Sequence, residues 1–128
     1  MLAQYLLMPS PASVIPSAAL FVSGVAGVWI PERVVAELEL DPRSPRGVAE
    51  ARVGLGGTYA GLGAVGLIAR TRSVDAAIGA TWLGAAITRA LSIRLDPHRQ
   101  RWTFWAYLLG EVGLGGLALA SAARSKPQ

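Results

Sequence analysis

The chain of 128 residues is 52% hydrophobic and only 16% charged, with 15 glycines and a formal net charge of +4. That charge fraction falls well short of the roughly 25% usual for soluble domains. The lack of cysteine excludes disulfides, thiolate metal sites and cysteine nucleophiles, and a single histidine excludes bis-histidine haem and the two-histidine zinc motifs.

The charges are segregated. No Asp, Glu, Lys or Arg occurs over 1–31, 53–69, 76–88 or 112–123. A transmembrane helix needs about 20 mainly apolar residues at about 1.5 Å each. Four such spans fit, near 11–30, 48–69, 73–93 and 102–123, if each carries a charge near one end. A soluble Ala/Gly-rich bundle is the rival reading, but its helices would each show a polar stripe. Residues 21–30, 61–69 and 112–123 show none. The runs are long, rich in Ala and Leu and without strict alternation, which disfavours strands. The expected fold is all-α: a single integral membrane domain over 1–128, built as a four-helix bundle with a short amphipathic interfacial segment between helices 1 and 2.

Taken in chain order, residues 2–8 lie at the interface or extend the first helix beyond a kink. Ser10-Pro11 makes a good helix start, serine as N-cap and proline at the first helical position. Pro16 falls near the first turn, where a missing N–H costs less. No Lys or Arg precedes this apolar run and no clean small-residue cleavage site follows it, so it reads as a retained helix rather than a signal peptide. Over 31–47, Ile30, Val34 and Leu38 recur at helical spacing while Glu32, Arg33, Glu37 and Glu39 fill the other side. This reads either as a short surface helix or as a solvated charged loop. Asp41-Pro42 and Ser44-Pro45 end it. The third span is the weakest, because its uncharged run is short and Arg89 must snorkel or be paired.

Arg33, Arg43, Arg46, Arg94, Arg99 and Arg101 share one membrane face; Arg70, Arg72, Arg124 and Lys126 share the other. The count leans towards a cytoplasmic first face. Trp29, Trp102 and Trp105 form an aromatic belt on that face.

Helices in lipid associate through small residues. The small-xxx-small pairs are Gly57/Gly61 in the second span, Ala80/Gly84 in the third and Gly116/Ala120 in the fourth. They suit packing within one bundle or against another chain, since both demand the same surface. The run from Gly61 to Gly66 matches the dinucleotide fingerprint G-x-G-x-x-G. It lies inside a helix-length apolar run with no preceding strand, so it is not a nucleotide site.

Three ionisable residues fall within spans: Arg52, Arg89 and Glu111. Arg52 and Arg89 lie about 6 Å deep and Glu111 about 13 Å, measured from one face. A charge at such depth faces the bundle interior or a watery cavity. Helical spacing adds Tyr59, Trp82 and Tyr107 to the same faces. The candidate ligand-binding cluster is therefore Arg52, Tyr59, Trp82, Arg89, Tyr107 and Glu111, with Glu50 at the rim and an opening towards Asp96 and His98. Its alternatives are a structural ion pair with snorkelling arginines, a small-molecule or lipid-headgroup site, or proton or ion coupling. Two arginines against one carboxylate suit an anionic head group. No nucleophile–base spacing, metal-ligand cluster or cofactor motif occurs, and the basic residues form no stripe with aromatics for nucleic acid.

Glu50-Ala-Arg52 followed by Gly56-Gly57, Arg89 before Ser92 and Asp96-Pro97, and Glu111 in the last span resemble a family of small bacterial four-helix membrane proteins, domain of unknown function 4345. The resemblance covers about residues 11–123; the Asp-Pro-His stretch departs from the glycine-containing turn expected there. It implies a four-span topology, polar residues at these places and a bacterial inner-membrane setting, and it supplies no activity. The expected function is non-enzymatic: an accessory or structural subunit packing against a larger membrane complex or another copy of itself. The alternative is a small-molecule or lipid-headgroup binding protein, transporter-like, using the Arg/Glu cluster.

Overall fold

The computed structural model describes residues 10–96 and 99–125; among these it is all-helical, with no strand. The elements are α1 (Pro11–Trp29), α2 (Pro31–Glu37), α3 (Pro45–Ala51), a π-helical stretch (Arg52–Gly57), α4 (Thr58–Ala69), α5 (Arg72–Leu95) and α6 (Trp102–Arg124). Of these, α1, α5 and α6 are long and apolar enough to cross a membrane. The expectations for residues 2–8, His98 and Lys126 lie outside the described residues. The chain divides into two compact units, Ser17–Ala69 and Met1–Pro16 with Arg70–Gln128, so α1 contributes to both.

In the Ser17–Ala69 unit, the expected second span is not one α-helix. It starts at Pro45, earlier than read from hydropathy, because Ser44 is an extended N-cap whose Oγ accepts from the Gly47 N–H at 3.1 Å. Ser44-Pro45 thus opens a helix rather than closing one. The α-helix then gives way to the π-helical stretch, where the Thr58 N–H and hydroxyl both donate to the Val53 carbonyl five residues back. Of the three glycines in this stretch, Gly54 and Gly57 are exposed and Gly56 is buried.

The reason lies in what the stretch packs against. A β-carbon on Gly24 would lie 2.1 Å from the Ala60 nitrogen, one on Gly56 2.6 Å from the Val28 nitrogen, and one on Gly63 2.3 Å from the Phe21 nitrogen. Backbone meets backbone at each point. The pairs 21 with 63, 24 with 60 and 28 with 56 run in opposite directions, so Ser17–Trp29 and the π–α4 helix pack antiparallel.

Between them, α2 is shorter than the expected segment. It ends in a Schellman arrangement, Glu39 N–H to Ala36 O at 3.0 Å and Leu40 N–H to Val35 O at 2.8 Å, with Glu39 left-handed at φ 57°. The helix therefore stops at Glu37, before either proline. Pro31 and Val35 are its buried residues, while Ile30 is exposed and Val34 and Leu38 are half-buried.

In the other unit, α5 and α6 form an antiparallel hairpin. Thr71 caps α5, its Oγ1 accepting from the Val74 N–H at 3.3 Å. Leu119 lies over Gly79 and Leu83 over Gly115, so each helix offers a leucine to a glycine on the other. Ile78, Ala86, Ala118 and Ala122 fill the seam. Small residues here let the helices close, which in lipid replaces the missing hydrophobic drive.

Candidate functional site

Arg89 and Glu111 meet across the α5–α6 seam. The Arg89 Nε donates to Glu111 Oε2 at 2.9 Å and to Oε1 at 3.1 Å, and Nη2 donates to Oε1 at 2.7 Å. The Glu111 side chain is 8% exposed and that of Arg89 25%. Antiparallel packing brings them together: Leu83 opposite Gly115 sets a register that carries Arg89 to Glu111 further along. A forked, charge-assisted contact of this kind fixes orientation as well as charge. The guanidinium carbon lies 5.2 Å from the Tyr107 ring centre and 5.6 Å from that of Phe104. Phe104 also meets Trp105 edge-on at 5.4 Å. The aromatic faces supply a second, weaker hold on the cation.

Of the six residues expected in the cluster, the structure unites Arg89, Glu111 and Tyr107. Trp82 is directed elsewhere: its indole N–H donates to the Pro16 carbonyl at 3.1 Å. Arg52 and Tyr59 belong to the Ser17–Ala69 unit. There the Arg52 Nη1 donates to the Val28 carbonyl. Val28 is in the last turn of α1, where carbonyls lack intrahelical donors, so Arg52 caps that helix end. Glu50, expected at the rim, pairs with Arg46 one turn earlier at 3.6 Å, both well exposed. Asp96 caps the end of α5 through its backbone N–H. An anionic head group suits both arginines set against Glu111 alone. The fork instead balances Arg89 with Glu111.

Phe104 escaped the sequence reading, although it lies one turn before Tyr107 and two before Glu111 on the same helix face. A second polar cluster escaped it entirely. Asp75, at the start of the third expected span, is 2% exposed. Ser13 Oγ donates to its Oδ1 at 3.0 Å and Ser121 Oγ to its Oδ2 at 2.6 Å. Ser13 and Ser121 are themselves 7% and 5% exposed. The available signal was position: all three lie within a turn or so of the ends of the expected spans 11–30, 73–93 and 102–123.

Among the described residues, the six predicted packing positions make no close approach within their own unit. A β-carbon built on Gly57, Gly61, Gly84 or Gly116 finds no atom within 4 Å among the described residues. Ala80 and Ala120 are exposed. Close approach falls to Gly24, Gly27, Gly56 and Gly63 in one unit and Gly79 and Gly115 in the other. The spacing rule finds small-residue faces but does not choose between two such faces on one helix. Among the described residues, no group of three or more His, Cys, Asp or Glu is arranged to hold a metal ion. No family model matches the chain, nor does any curated protein or solved structure.

Proposed function

We propose that this chain is a four-span integral membrane protein of a bacterial inner membrane, without enzymatic activity, that serves as an accessory subunit packed against a larger membrane complex. The observation that carries the reading is the exposure of Gly57 and Gly61 in one unit and of Ala80, Gly84, Gly116 and Ala120 in the other. Small residues at helix spacing allow another helix to approach closely, and lipid gains nothing from them. Large apolar side chains exposed nearby, among them Val22, Ile68, Ile87 and Leu109, suit a hydrocarbon surround. The fourth span in this reading is the composite helix Pro45–Ala69, roughly 35 Å long, against a hydrocarbon core of about 30 Å. The resemblance of its Glu50-Ala-Arg52 and Gly56-Gly57 motifs to the four-span family supports the same topology.

The experiment is purification from native membranes in mild detergent, with native mass spectrometry of what co-elutes. A larger protein in fixed stoichiometry, released by Gly57→Leu or Gly116→Leu while the chain stays folded, is the expected result. A lone chain, or a partner indifferent to both substitutions, would refute the reading. A second reading, binding of a small molecule or lipid head group at Arg89, draws on its one-quarter exposure between Phe104 and Tyr107. A ligand lost in Glu111→Gln with assembly intact would favour it instead.

A further inference from the structure

The end of the hairpin where α5 begins and α6 finishes carries exposed positive charge alone. Arg70, Arg72 and Arg124 are exposed there. The buried Asp75–Ser121 contact fixes their level. Arg72 lies three residues before Asp75 and Arg124 three residues after Ser121, so in an antiparallel pair both stand about one turn beyond that contact. Arg70 comes just before Thr71, which caps α5.

The acidic side chains of this unit are Asp75, Asp96 and Glu111. Glu111 is forked to Arg89, and Asp96 is at the opposite end of α5. Asp75 is the acid of this end, and its spacing makes it the natural ion-pair partner of Arg72. The fold withdraws it: Asp75 is buried, and Ser13 and Ser121 donate to its two oxygens. Among the described residues, no side chain or carbonyl takes the donors of Arg70, Arg72 or Arg124. The other end of the hairpin differs, because Arg94, Arg99 and Arg101 there surround an exposed Asp96, and both Asp96 and Arg101 are engaged.

Helix length sets what meets these arginines. With 24 and 23 residues, α5 and α6 run about 35 Å against a hydrocarbon core of about 30 Å, which carries their ends into the head-group layer. Leu117 and Leu119 are exposed on α6 within two turns of Arg124. A free anion would use the guanidinium donors alone, whereas a phospholipid also uses the apolar surface beside them.

We propose that Arg70, Arg72 and Arg124 bind the phosphate of an anionic phospholipid in the leaflet around this end of the hairpin. The proposal rests on the reading of α5 and α6 as membrane spans. Guanidinium N–H groups match phosphate oxygens in forked geometry. A zwitterionic lipid brings its own ammonium group to the same rim and is held less well. Withdrawal of Asp75 is what makes the rim selective, since an exposed carboxylate there would pair with Arg72 and repel the phosphate.

The test uses the full chain, purified in a neutral detergent and titrated with phosphatidylglycerol or phosphatidylcholine of the same acyl chains, bound lipid being counted by native mass spectrometry. Phosphatidylglycerol should bind more tightly. Arg70→Gln, Arg72→Gln and Arg124→Gln should each weaken it about fivefold and leave phosphatidylcholine unchanged, whereas Arg94→Gln should alter neither. Equal binding of the two lipids by the wild type would overturn the proposal without recourse to any variant. So would a preference that survives the triple variant, or one that Arg94→Gln reduces as much. Displacement of phosphatidylglycerol by inorganic phosphate at equal concentration would overturn it too, and would assign a free anion instead. Carbonate extraction of membranes holding the wild type or the triple variant separates this test from that of the spans. Retention of both keeps the span reading and leaves the lipid result to decide; release of the wild type would refute the spans and the proposal together.

Discussion

Glu111→Gln removes one charge from the α5–α6 seam and keeps the shape of the side chain. The cost depends on how far Arg89 reaches water once its partner is neutral. Its side chain is one-quarter exposed, whereas that of Glu111 is 8% exposed. Arg89 sits six residues before the end of α5, about 9 Å along the helix axis, further than its guanidinium extends without leaving the seam. Breaking a buried ion pair by removing one partner costs about 3–5 kcal/mol, and partial exposure of Arg89 places this case near 3, roughly a hundredfold in the folding equilibrium. Neutral interhelical hydrogen bonds in membranes average about 0.6 kcal/mol, so the two origins of the contact are separable by size. The double variant Arg89→Met with Glu111→Leu should return to within about 1 kcal/mol of wild type, since an apolar pair of similar volume fills the seam without a stranded charge. The assay is reversible unfolding in bicelles, read by steric trapping across α5 and α6, carried as a full double-mutant cycle. A Glu111→Gln loss under about 0.5 kcal/mol, or a double variant no better than the single, would show that the fork does not hold the hairpin and that burial of the pair does not set its worth.

The glycines divide into two classes with opposite outcomes. Gly63→Leu meets the Phe21 backbone at 2.3 Å for its β-carbon alone and should unfold the Ser17–Ala69 unit, whereas Gly61→Leu meets nothing within 4 Å and should leave it intact; circular dichroism melts of the two variants in one detergent compare them directly. At the hairpin, a β-carbon on Gly79 would sit 2.7 Å from Leu119 Cδ2, the far end of a flexible side chain. Gly79→Ala should therefore cost about 1–3 kcal/mol by overpacking, and Leu119→Ala in the same chain should recover part of it; equal losses with and without Leu119→Ala would exclude that contact as the cause.

Much of this architecture is written locally in the chain. Hydropathy and length mark α1, α5 and α6, and their ends fall within a residue or two of the expected limits because Pro11, Leu95, Trp102 and Arg124 stand where apolar runs meet charge or proline. The pairing of Arg89 with Glu111 was also readable, since two opposite charges at depth in lipid have few other ways to be accommodated. The place of Tyr107 beside them follows from helix spacing alone.

Tertiary structure decided the rest, and for one physical reason: a helix presents several faces, and sequence periodicity does not say which of them a neighbour takes. Gly56 and Gly63 rather than Gly57 and Gly61 meet α1, and Gly79 and Gly115 rather than Gly84 and Gly116 close the hairpin. The π-helical stretch adds to this, because one wider turn re-aims every residue beyond it. Trp82 turned to the Pro16 carbonyl, a group whose position no local rule supplies. Asp75 reads in sequence as one more charge beside Arg70 and Arg72, and only the convergence of Ser13 and Ser121, distant in the chain, makes it a buried group. Depth along a helix is set by counting residues; surroundings at that depth are set by whichever helices pack there.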